Sequence, residues 1–126
     1  MQSREKIFIL DEAGFSRVCL SILSGEGLEA ESLTQGVNGI SGSILDGAAL
    51  IITSYPYGKS ILNNLVGVVI PVIVLTDYMG KEIIEVLEQL ENSYCMVKPI
   101  DYGRFTMLVK ELVQNKLFCP GGYSIV

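Results

Sequence analysis

The sequence contains no histidine and only three cysteines, and these shortages exclude several kinds of active site. Without histidine there is no His-based catalytic triad and no histidine general base. The cysteines, Cys19, Cys95 and Cys119, cannot all pair within one chain, and no two of them form a Cys-x-x-Cys motif. A zinc site is therefore not expected. Cys19 and Cys95 lie inside apolar patterns and are predicted to be core thiols.

Basic charge and long apolar runs are also scarce. The net charge is −5, which gives no basic footprint for nucleic acid. The apolar runs are too short to cross a bilayer, and the first residues lack the apolar core of a secretory signal. We therefore expect a cytoplasmic protein that binds neither nucleic acid nor a membrane.

The chain has 126 residues, of which 49% are hydrophobic, as expected for one globular domain. Residues 1–126 are predicted to form a single domain with a core at about 5–116 and an irregular C-terminal tail at 117–126. Four short apolar segments are predicted strands: residues 6–10, 48–52, 71–75 and 94–97. Residues 28–33 alternate apolar and polar side chains and are predicted to be a shorter strand nearer the sheet edge. Helical spacing of apolar residues predicts helices between and after them, at about 14–24, 34–46, 59–65, 80–91 and 101–116. Asp101 is the predicted cap of the last helix.

Strands that alternate with helices predict an α/β domain with a parallel sheet covered on both faces. Four of the strands end in short polar pairs: Asp11–Glu12, Thr53–Ser54, Thr76–Asp77 and Lys98–Pro99. The carboxyl ends of parallel strands meet at one edge of the sheet, which is where α/β proteins build their sites. The sequence therefore predicts one candidate pocket at this edge.

The order of these pairs on five strand–helix units resembles the receiver domains of bacterial two-component response regulators, over about residues 5–116. The resemblance implies a flavodoxin-like (βα)5 fold, a doubly wound parallel sheet in three α/β/α layers. In that family two acids hold Mg²⁺, an aspartate after the third strand accepts phosphate, and a threonine and a lysine contact the phosphoryl oxygens. Carried over, Asp11 and Glu12 would be the metal carboxylates, Thr76 the switching hydroxyl and Lys98 the phosphate-facing ammonium. The Lys98–Pro99 peptide bond would be cis, as is usual in the family.

The phosphate acceptor does not carry over. The third strand ends in Thr53 and Ser54, and the sequence does not choose between them. A hydroxyl forms no acyl phosphate, and its presence removes one anionic ligand, so we expect no resident cofactor and at most weak Mg²⁺ binding. Two further departures agree with this expectation. Asp77 stands where the family has a small residue, and Cys95 replaces the aromatic residue that moves with the threonine.

The preferred prediction is therefore a non-enzymatic, phosphorylation-independent receiver-like module for protein interaction. Its partner would be a histidine kinase, another regulator or a second copy, docked on residues 79–91, the fifth strand and residues 101–114. The alternative is a flavodoxin-like domain that binds a small anion or nucleotide at the pocket edge, which Asp77 and the net acidity disfavour. A third hypothesis keeps ordinary receiver function with Thr53 or Ser54 as an unusual acceptor. For Lys98, the simpler hypothesis is a structural ion pair with Asp11, Glu12 or Asp77.

Overall fold

The computed structural model describes residues 6–33, 48–65, 70–90, 92–114 and 122–126. These residues form six strands and four helices. The strands are β1 (Lys6–Leu10), β2 (Ala30–Ser32), β3 (Ala48–Tyr55), β4 (Val72–Thr76), β5 (Asn92–Val97) and β6 (Gly122–Ile125). The helices are α1 (Ala13–Gly25), α2 (Lys59–Asn64), α3 (Lys81–Glu88) and α4 (Tyr102–Val113). The predicted helix at 34–46, the tail segment at 117–121 and Cys119 lie outside the described residues.

All the strand pairs are parallel, and their order across the sheet is β2-β1-β3-β4-β5-β6. The chain reverses its direction of winding between β1 and β3, which is the topological switch point of a doubly wound sheet. The helices cover both faces, α1 and α4 on one and α2 and α3 on the other. The predicted parallel α/β fold is therefore confirmed.

Two apolar cores explain why the central strands are almost continuously apolar. Successive side chains of a strand point to opposite faces of the sheet. In β3, Leu50 and Ile52 pack in the core beneath α1 and α4, whereas Ile51 packs in the core beneath α2 and α3. Phe105 of α4 is fully buried in the first core. A strand that contributes to two cores has no face left for water, which is the usual condition of parallel sheets.

The third strand is longer than predicted, because it continues through Thr53 and Ser54 to Tyr55. Both polar residues are buried and pair in register with Val74 and Leu75 of β4. Their hydroxyls form hydrogen bonds inside the protein, so the cost of burying them is met locally. The predicted end at residue 52 is wrong because polar side chains with internal partners can remain within a buried strand.

The C-terminal tail was predicted to be irregular, but Gly122–Ile125 forms the strand β6. This strand lies parallel to β5 and pairs with residues 92–95. The fifth strand was predicted to belong to the docking surface, but β6 covers its outer edge. A four-residue strand after a Pro-Gly-Gly turn signal has too little local pattern to be recognised, since its stability comes from distant pairing.

Local details agree with several other predictions. Asp101 caps α4, its Oδ1 accepting hydrogen bonds from the backbone N–H groups of Gly103 and Arg104 at 3.0 and 3.1 Å. Cys19 and Cys95 are buried free thiols, as predicted. Burial raises the pKa of Cys95 to about 11, so this thiol stays protonated at neutral pH. Across the described part of the chain, no helix combines the length and apolarity needed to span a membrane.

Gly58 is predicted to be intolerant of a side chain, whereas Gly14 is not. A Cβ added at Gly58 would overlap the Thr53 hydroxyl oxygen and lie 2.9 Å from the Ser54 carbonyl oxygen. Gly58→Ala should displace Thr53, break its hydrogen bond to Leu10 and lower the free energy of unfolding by about 1–3 kcal/mol.

The matched control is Gly14→Ala in α1, where an added Cβ meets nothing within 4 Å. Alanine has the higher helix propensity, so this variant should be unchanged or more stable by up to about 1 kcal/mol. Urea unfolding of both variants measures the difference. Equal effects of the two substitutions would contradict the packing described for Gly58.

Candidate functional site

Four neighbouring strands bring their polar carboxyl ends to one edge of the sheet. Asp11 follows β1, Ser54 lies near the end of β3, Thr76 ends β4, and Lys98 follows β5. These strands are adjacent in the order β1-β3-β4-β5. The topology therefore gathers the sequence-predicted residues at this edge, and their side-chain contacts decide what the edge can do.

Asp11 is the centre of the candidate site. Its side chain is buried, yet both carboxylate oxygens accept hydrogen bonds. Oδ1 accepts from the Glu12 backbone N–H at 2.8 Å, and Oδ2 accepts from the hydroxyl of Ser54. The Asp11 carbonyl oxygen accepts from the Ser16 hydroxyl at 3.1 Å, which ties the site to the first turn of α1. Hydrogen bonds to an ionised carboxylate are stronger than those between neutral groups.

The sequence does not choose between Thr53 and Ser54 as the residue at the acceptor position, and the structure gives their hydroxyls different partners. Thr53 and Ser54 are neighbours in β3, so their side chains point to opposite faces of the sheet. Thr53 donates its hydroxyl to the Leu10 carbonyl oxygen at 2.7 Å and links β3 to β1. Only Ser54 reaches the Asp11 carboxylate. Ser54 is thus the β3 residue that contacts the Asp11 carboxylate.

The described residues do not fit the divalent cation that the resemblance implies. Glu12 is exposed, and its side chain makes no capping hydrogen bond to α1. Asp11 already accepts two hydrogen bonds, and Ser54 supplies a neutral hydroxyl. Among the described residues there is no group of three His, Cys, Asp or Glu side chains that could hold a metal ion. Mg²⁺ favours carboxylate oxygens at near-octahedral geometry, and this set offers too few of them.

Thr76 is buried, and its hydroxyl is engaged in its own loop. It donates to the Tyr78 carbonyl oxygen at 2.9 Å. No hydrogen bond joins it to Asp11 or Ser54 among the described contacts. Thr76 therefore stabilises the loop between β4 and α3. The next residue, Asp77, is exposed and adds a negative charge there.

Lys98 is near the site but does not form the structural ion pair suggested by the sequence. Its ammonium lies 5.5 Å from the centroid of the Phe15 ring, in a cation–π contact. Ion pairs within the described ranges join Lys6 to Glu29 and Glu31, and Lys110 to Glu26. The Lys98–Pro99 peptide bond is cis, as the resemblance implied.

The buried Cys19 thiol lies within the electrostatic reach of both Asp11 and Lys98. Burial raises the pKa of Cys19 to about 12, the Asp11 carboxylate also acts to raise it, and the Lys98 ammonium opposes them. The charges of Asp11 and Lys98 therefore both act on the Cys19 thiol in the first core. Cys19 itself stays a neutral core thiol at physiological pH.

Sequence reasoning missed the role of Tyr55, because the sequence predicts a turn at this position. Tyr55 ends β3, is 6% exposed, and donates its hydroxyl to Glu82 Oε1 at 3.1 Å. The contact joins the β3 edge to the first turn of α3. Tyr55 lies two residues after Thr53, so the alternation of strand side chains puts it on the same sheet face as Thr53 and Ile51. This spacing could have indicated that Tyr55 continues the strand.

Tyr94 and Cys95, at the centre of β5, point to opposite faces of the sheet, as the alternation of strand side chains predicts. Tyr94 belongs to the core under α1 and α4, whereas Cys95 belongs to the core under α2 and α3. Cys95 Sγ contacts Met79 Sδ at 3.8 Å. A small thiol thus occupies the place where the resemblance would put a mobile aromatic ring.

Comparison with known proteins rests on structure, since no family model and no curated protein matches the sequence. The chain is similar to a response regulator receiver protein from Pseudomonas putida, with TM-score 0.65 and 16% identity over 88% of this chain and 99% of that one. It is also similar to a CheY-like receiver domain from Methanospirillum hungatei, with TM-score 0.66 and 17% identity over 89% and 95%. The chain has the receiver fold.

A third similar structure is a signal receiver domain of two-component signal transduction (histidine kinase) from Clostridium thermocellum. Its TM-score is 0.61, at 17% identity over 87% of this chain and 98% of that one. At such identities the likeness establishes the fold alone.

We expect the Tyr55–Glu82 hydrogen bond to stabilise the fold in a pH-dependent way. Burial raises the pKa of Tyr55, and the hydrogen bond to Glu82 raises it further. The folded protein therefore keeps a proton that an unfolded tyrosine releases above about pH 10. The stabilisation is present below that pH and is lost as the pH rises through the raised folded pKa.

Tyr55→Phe should lower the free energy of unfolding by about 1 kcal/mol at neutral pH, since Glu82 is exposed and rehydrates. The difference from wild type should shrink above about pH 10. Tyr57→Phe, at a tyrosine 39% exposed, is the control and should have no effect. Urea unfolding across pH gives the comparison, and identical behaviour of the two variants would contradict the assigned role of Tyr55.

Proposed function

We propose that this chain is a degenerate receiver domain of two-component signalling, a non-enzymatic module that acts by protein contact without aspartyl phosphorylation. The observation that carries the proposal is the hydrogen bond from the Ser54 hydroxyl to the Asp11 carboxylate. In this proposal Ser54 takes the position, next to the acidic pair, at which a phosphorylated receiver carries its acceptor carboxylate. The hydrogen-bonding capacity of the Asp11 carboxylate is thereby met from within the protein.

The chemistry of the β3 edge supports this proposal. An acyl phosphate forms only on a carboxylate, and residues 48–58 contain no aspartate or glutamate. A serine phosphate at Ser54 would require the hydroxyl to release Asp11 and place a dianion beside that buried carboxylate. Like charges at such a distance repel strongly where water is excluded. Ser54 is therefore a poor acceptor as well as a chemically different one.

The remaining residues of the edge give an incoming phosphoryl group weaker support than an ordinary receiver does. Phosphoryl transfer depends on cations and hydrogen-bond donors that surround the transferred oxygens. Thr76 donates its hydroxyl to a loop carbonyl, Lys98 lies over Phe15, and Asp77 adds negative charge. These departures weaken the support for phosphate transfer, and the missing acceptor carboxylate removes it. A carboxylate at position 54 would supply both the acceptor and a third anionic ligand for Mg²⁺.

A receiver fold without this chemistry retains its surfaces, so its function is assigned to protein contact. The similar domain from Clostridium thermocellum is described together with a histidine kinase, which supports a partner from two-component signalling. The surface proposed for docking comprises α3, α4 and β6, because β6 covers the outer edge of β5. In this proposal β6 takes the place of the fifth strand in the predicted surface.

The test is incubation with acetyl phosphate and Mg²⁺ followed by intact-protein mass measurement. The wild-type chain should gain no phosphoryl group. Ser54→Asp places a carboxylate beside Asp11 and should gain one that hydroxylamine removes. Ser54→Asn is the matched control, close in size but uncharged, and should gain none. Labelling of the wild-type chain would overturn the proposal, and absence of labelling in Ser54→Asp would show that the missing carboxylate is not the cause.

The alternative, a domain that binds a small anion at the same edge, has weaker support because Lys98 is turned to Phe15 and Asp77 is exposed. The same samples distinguish it. A ligand at about a hundred times its Kd would add roughly 2.7 kcal/mol to the free energy of unfolding. Inorganic phosphate should leave the thermal unfolding of the wild-type chain unchanged if the chain is a degenerate receiver.

A further inference from the structure

The last described strand, β6, differs from the others in the way that the chain reaches it. The steps from β3 to β4 and from β4 to β5 run in one direction across the sheet, and their helices, α2 and α3, lie on one face. The step from β5 to β6 continues in the same direction, but its helix, α4, lies on the other face with α1. The β5–α4–β6 connection therefore has the opposite hand to the two connections before it.

This hand is the uncommon one. A helix that joins two parallel strands of a sheet makes a right-handed connection in about 98% of cases, because a twisted strand followed by a right-handed helix packs back onto the sheet in that way. The β1–α1–β2 connection agrees with those through α2 and α3, since it reverses both the direction and the face. β6 is thus reached by a left-handed connection and departs from the rule that the other described helical connections follow.

β6 is held to the sheet mainly by its backbone. Its pairing with β5 covers four residues, and the Val126 N–H donates to the Cys95 carbonyl oxygen at 2.8 Å. Tyr123 packs against the core beneath α2 and α3, whereas Ile125 and Val126 are 51% and 42% exposed. Backbone hydrogen bonds at a water-exposed edge add little net stability, because water replaces them when they break.

The packing beneath the end of β6 is incomplete. A groove of about 150 Å³ lies between Val126 and α4, and Met96 of β5 and Met107 of α4 are among the residues that line it. Protein interiors are normally packed with few voids larger than a water molecule. The gap agrees with the left-handed connection, because α4 packs with α1 in the first core and does not close over Val126.

β5 is anchored independently of β6. It pairs with β4 along its other edge. Tyr94 and Met96 belong to the first core, and Cys95 belongs to the core beneath α2 and α3. Departure of β6 would leave these contacts in place and would uncover the backbone groups on the outer edge of β5. An element that breaks few buried contacts opens at a lower free energy than the whole domain.

We propose that residues 122–126 are a displaceable strap, which covers the outer edge of β5 in a closed form and leaves it in an open form while the rest of the domain stays folded. An uncovered strand edge is the kind of surface to which an extended segment of another protein adds as a further strand. The strap therefore decides whether β6 or the bare edge of β5 is presented between α3 and α4. What the strap regulates rests on the proposed function, but its opening does not depend on phosphorylation and is measured without it.

Neighbouring amides of β5 report on the strap and on the rest of the sheet separately. The N–H and C=O groups of one strand residue point to the same side, and successive residues alternate. The Cys95 carbonyl faces β6, so the N–H groups of Ser93 and Cys95 face β6 and those of Tyr94 and Met96 face β4. Native-state hydrogen exchange of the full chain, read by NMR, should be at least about tenfold faster at Ser93 and Cys95 than at Tyr94 and Met96.

The same experiment separates a strap from simple fraying. Ser93 and Cys95 should share one opening free energy, because the strap leaves as a unit. Equal protection of the amides that face β6 and those that face β4 would overturn the inference, since β6 would then open only with the whole domain. Much readier opening at Cys95 than at Ser93 would also overturn it, because that gradient indicates fraying from Val126.

A disulfide variant holds the strap closed. Cys95 and Ile125 are in register, and neighbouring strands lie about 4.8 Å apart, within the Cα separation that a disulfide spans. Oxidised Ile125→Cys should form a bridge to Cys95, verified by peptide mapping, and exchange at Ser93 should slow to that at Tyr94. The reduced form of the same variant is the matched control and should exchange as wild type does. Failure of the bridge to form, or exchange at Ser93 that the bridge leaves unchanged, would contradict the strap.

Proline substitutions test the closed form from the other strand. The Val126 N–H faces β5, so the Ser124 N–H faces it too and the Ile125 N–H faces away. Ser124→Pro should therefore speed exchange at Cys95 about tenfold and leave Tyr94 unchanged, whereas Ile125→Pro, the matched control, should change neither. Equal effects of the two substitutions would contradict the pairing on which the strap depends. None of these outcomes alters the acetyl phosphate experiment, so the two proposals can fail separately.

Discussion

The hydrogen bond between Ser54 and Asp11 is the contact on which the character of this receiver fold depends. A buried carboxylate is costly unless hydrogen-bond donors surround it, and Asp11 obtains them from Ser54 and from the Glu12 backbone. The same pair joins β1 to β3 at the switch point of the sheet, where α/β folds place their ligands. Other α/β folds bind ligands at the switch point, whereas here the Ser54–Asp11 hydrogen bond joins two strands there.

The side chains around Asp11 and Ser54 likewise find their partners within the protein. Thr53 is bonded to the backbone of β1, and Thr76 to the loop after β4. Lys98 lies against an aromatic ring, and Tyr55 links the end of β3 to Glu82 on α3. Each of these side chains contacts a loop, a helix or a strand of the protein itself. These contacts fix the edge from within the protein.

Much of the fold could be predicted from local patterns. Unbroken apolar runs identify the central strands, because a parallel sheet covered on both faces needs apolar residues at every position. The cap at Asp101 and the core position of Cys19 follow from helix chemistry and periodicity. Two other features depend on the tertiary structure. The short strand β6 is stabilised by pairing with distant residues of β5, and the end of β3 is set by hydrogen bonds to Leu10 and Asp11.

The candidate site was predictable in position but not in contacts. Polar residues after parallel strands must meet at one edge, so Asp11, Thr76 and Lys98 could be grouped from sequence. The choice between Thr53 and Ser54 required the strand register, since a shift of one residue exchanges the two faces. The contact of Lys98 with Phe15 required the orientation of α1. Geometry of this kind is set by packing and leaves no mark in residue spacing.

The most direct measurement of the central claim is a double-mutant cycle on Asp11 and Ser54. Urea unfolding of wild type, Asp11→Ala, Ser54→Ala and the double variant gives the free energy by which the two side chains are coupled. A hydrogen bond to a buried charged carboxylate predicts a coupling of about 1.5–3 kcal/mol. A coupling near zero would mean that Ser54 does not hold Asp11, and a carboxylate satisfied from within the protein would then be the wrong description of this sheet edge.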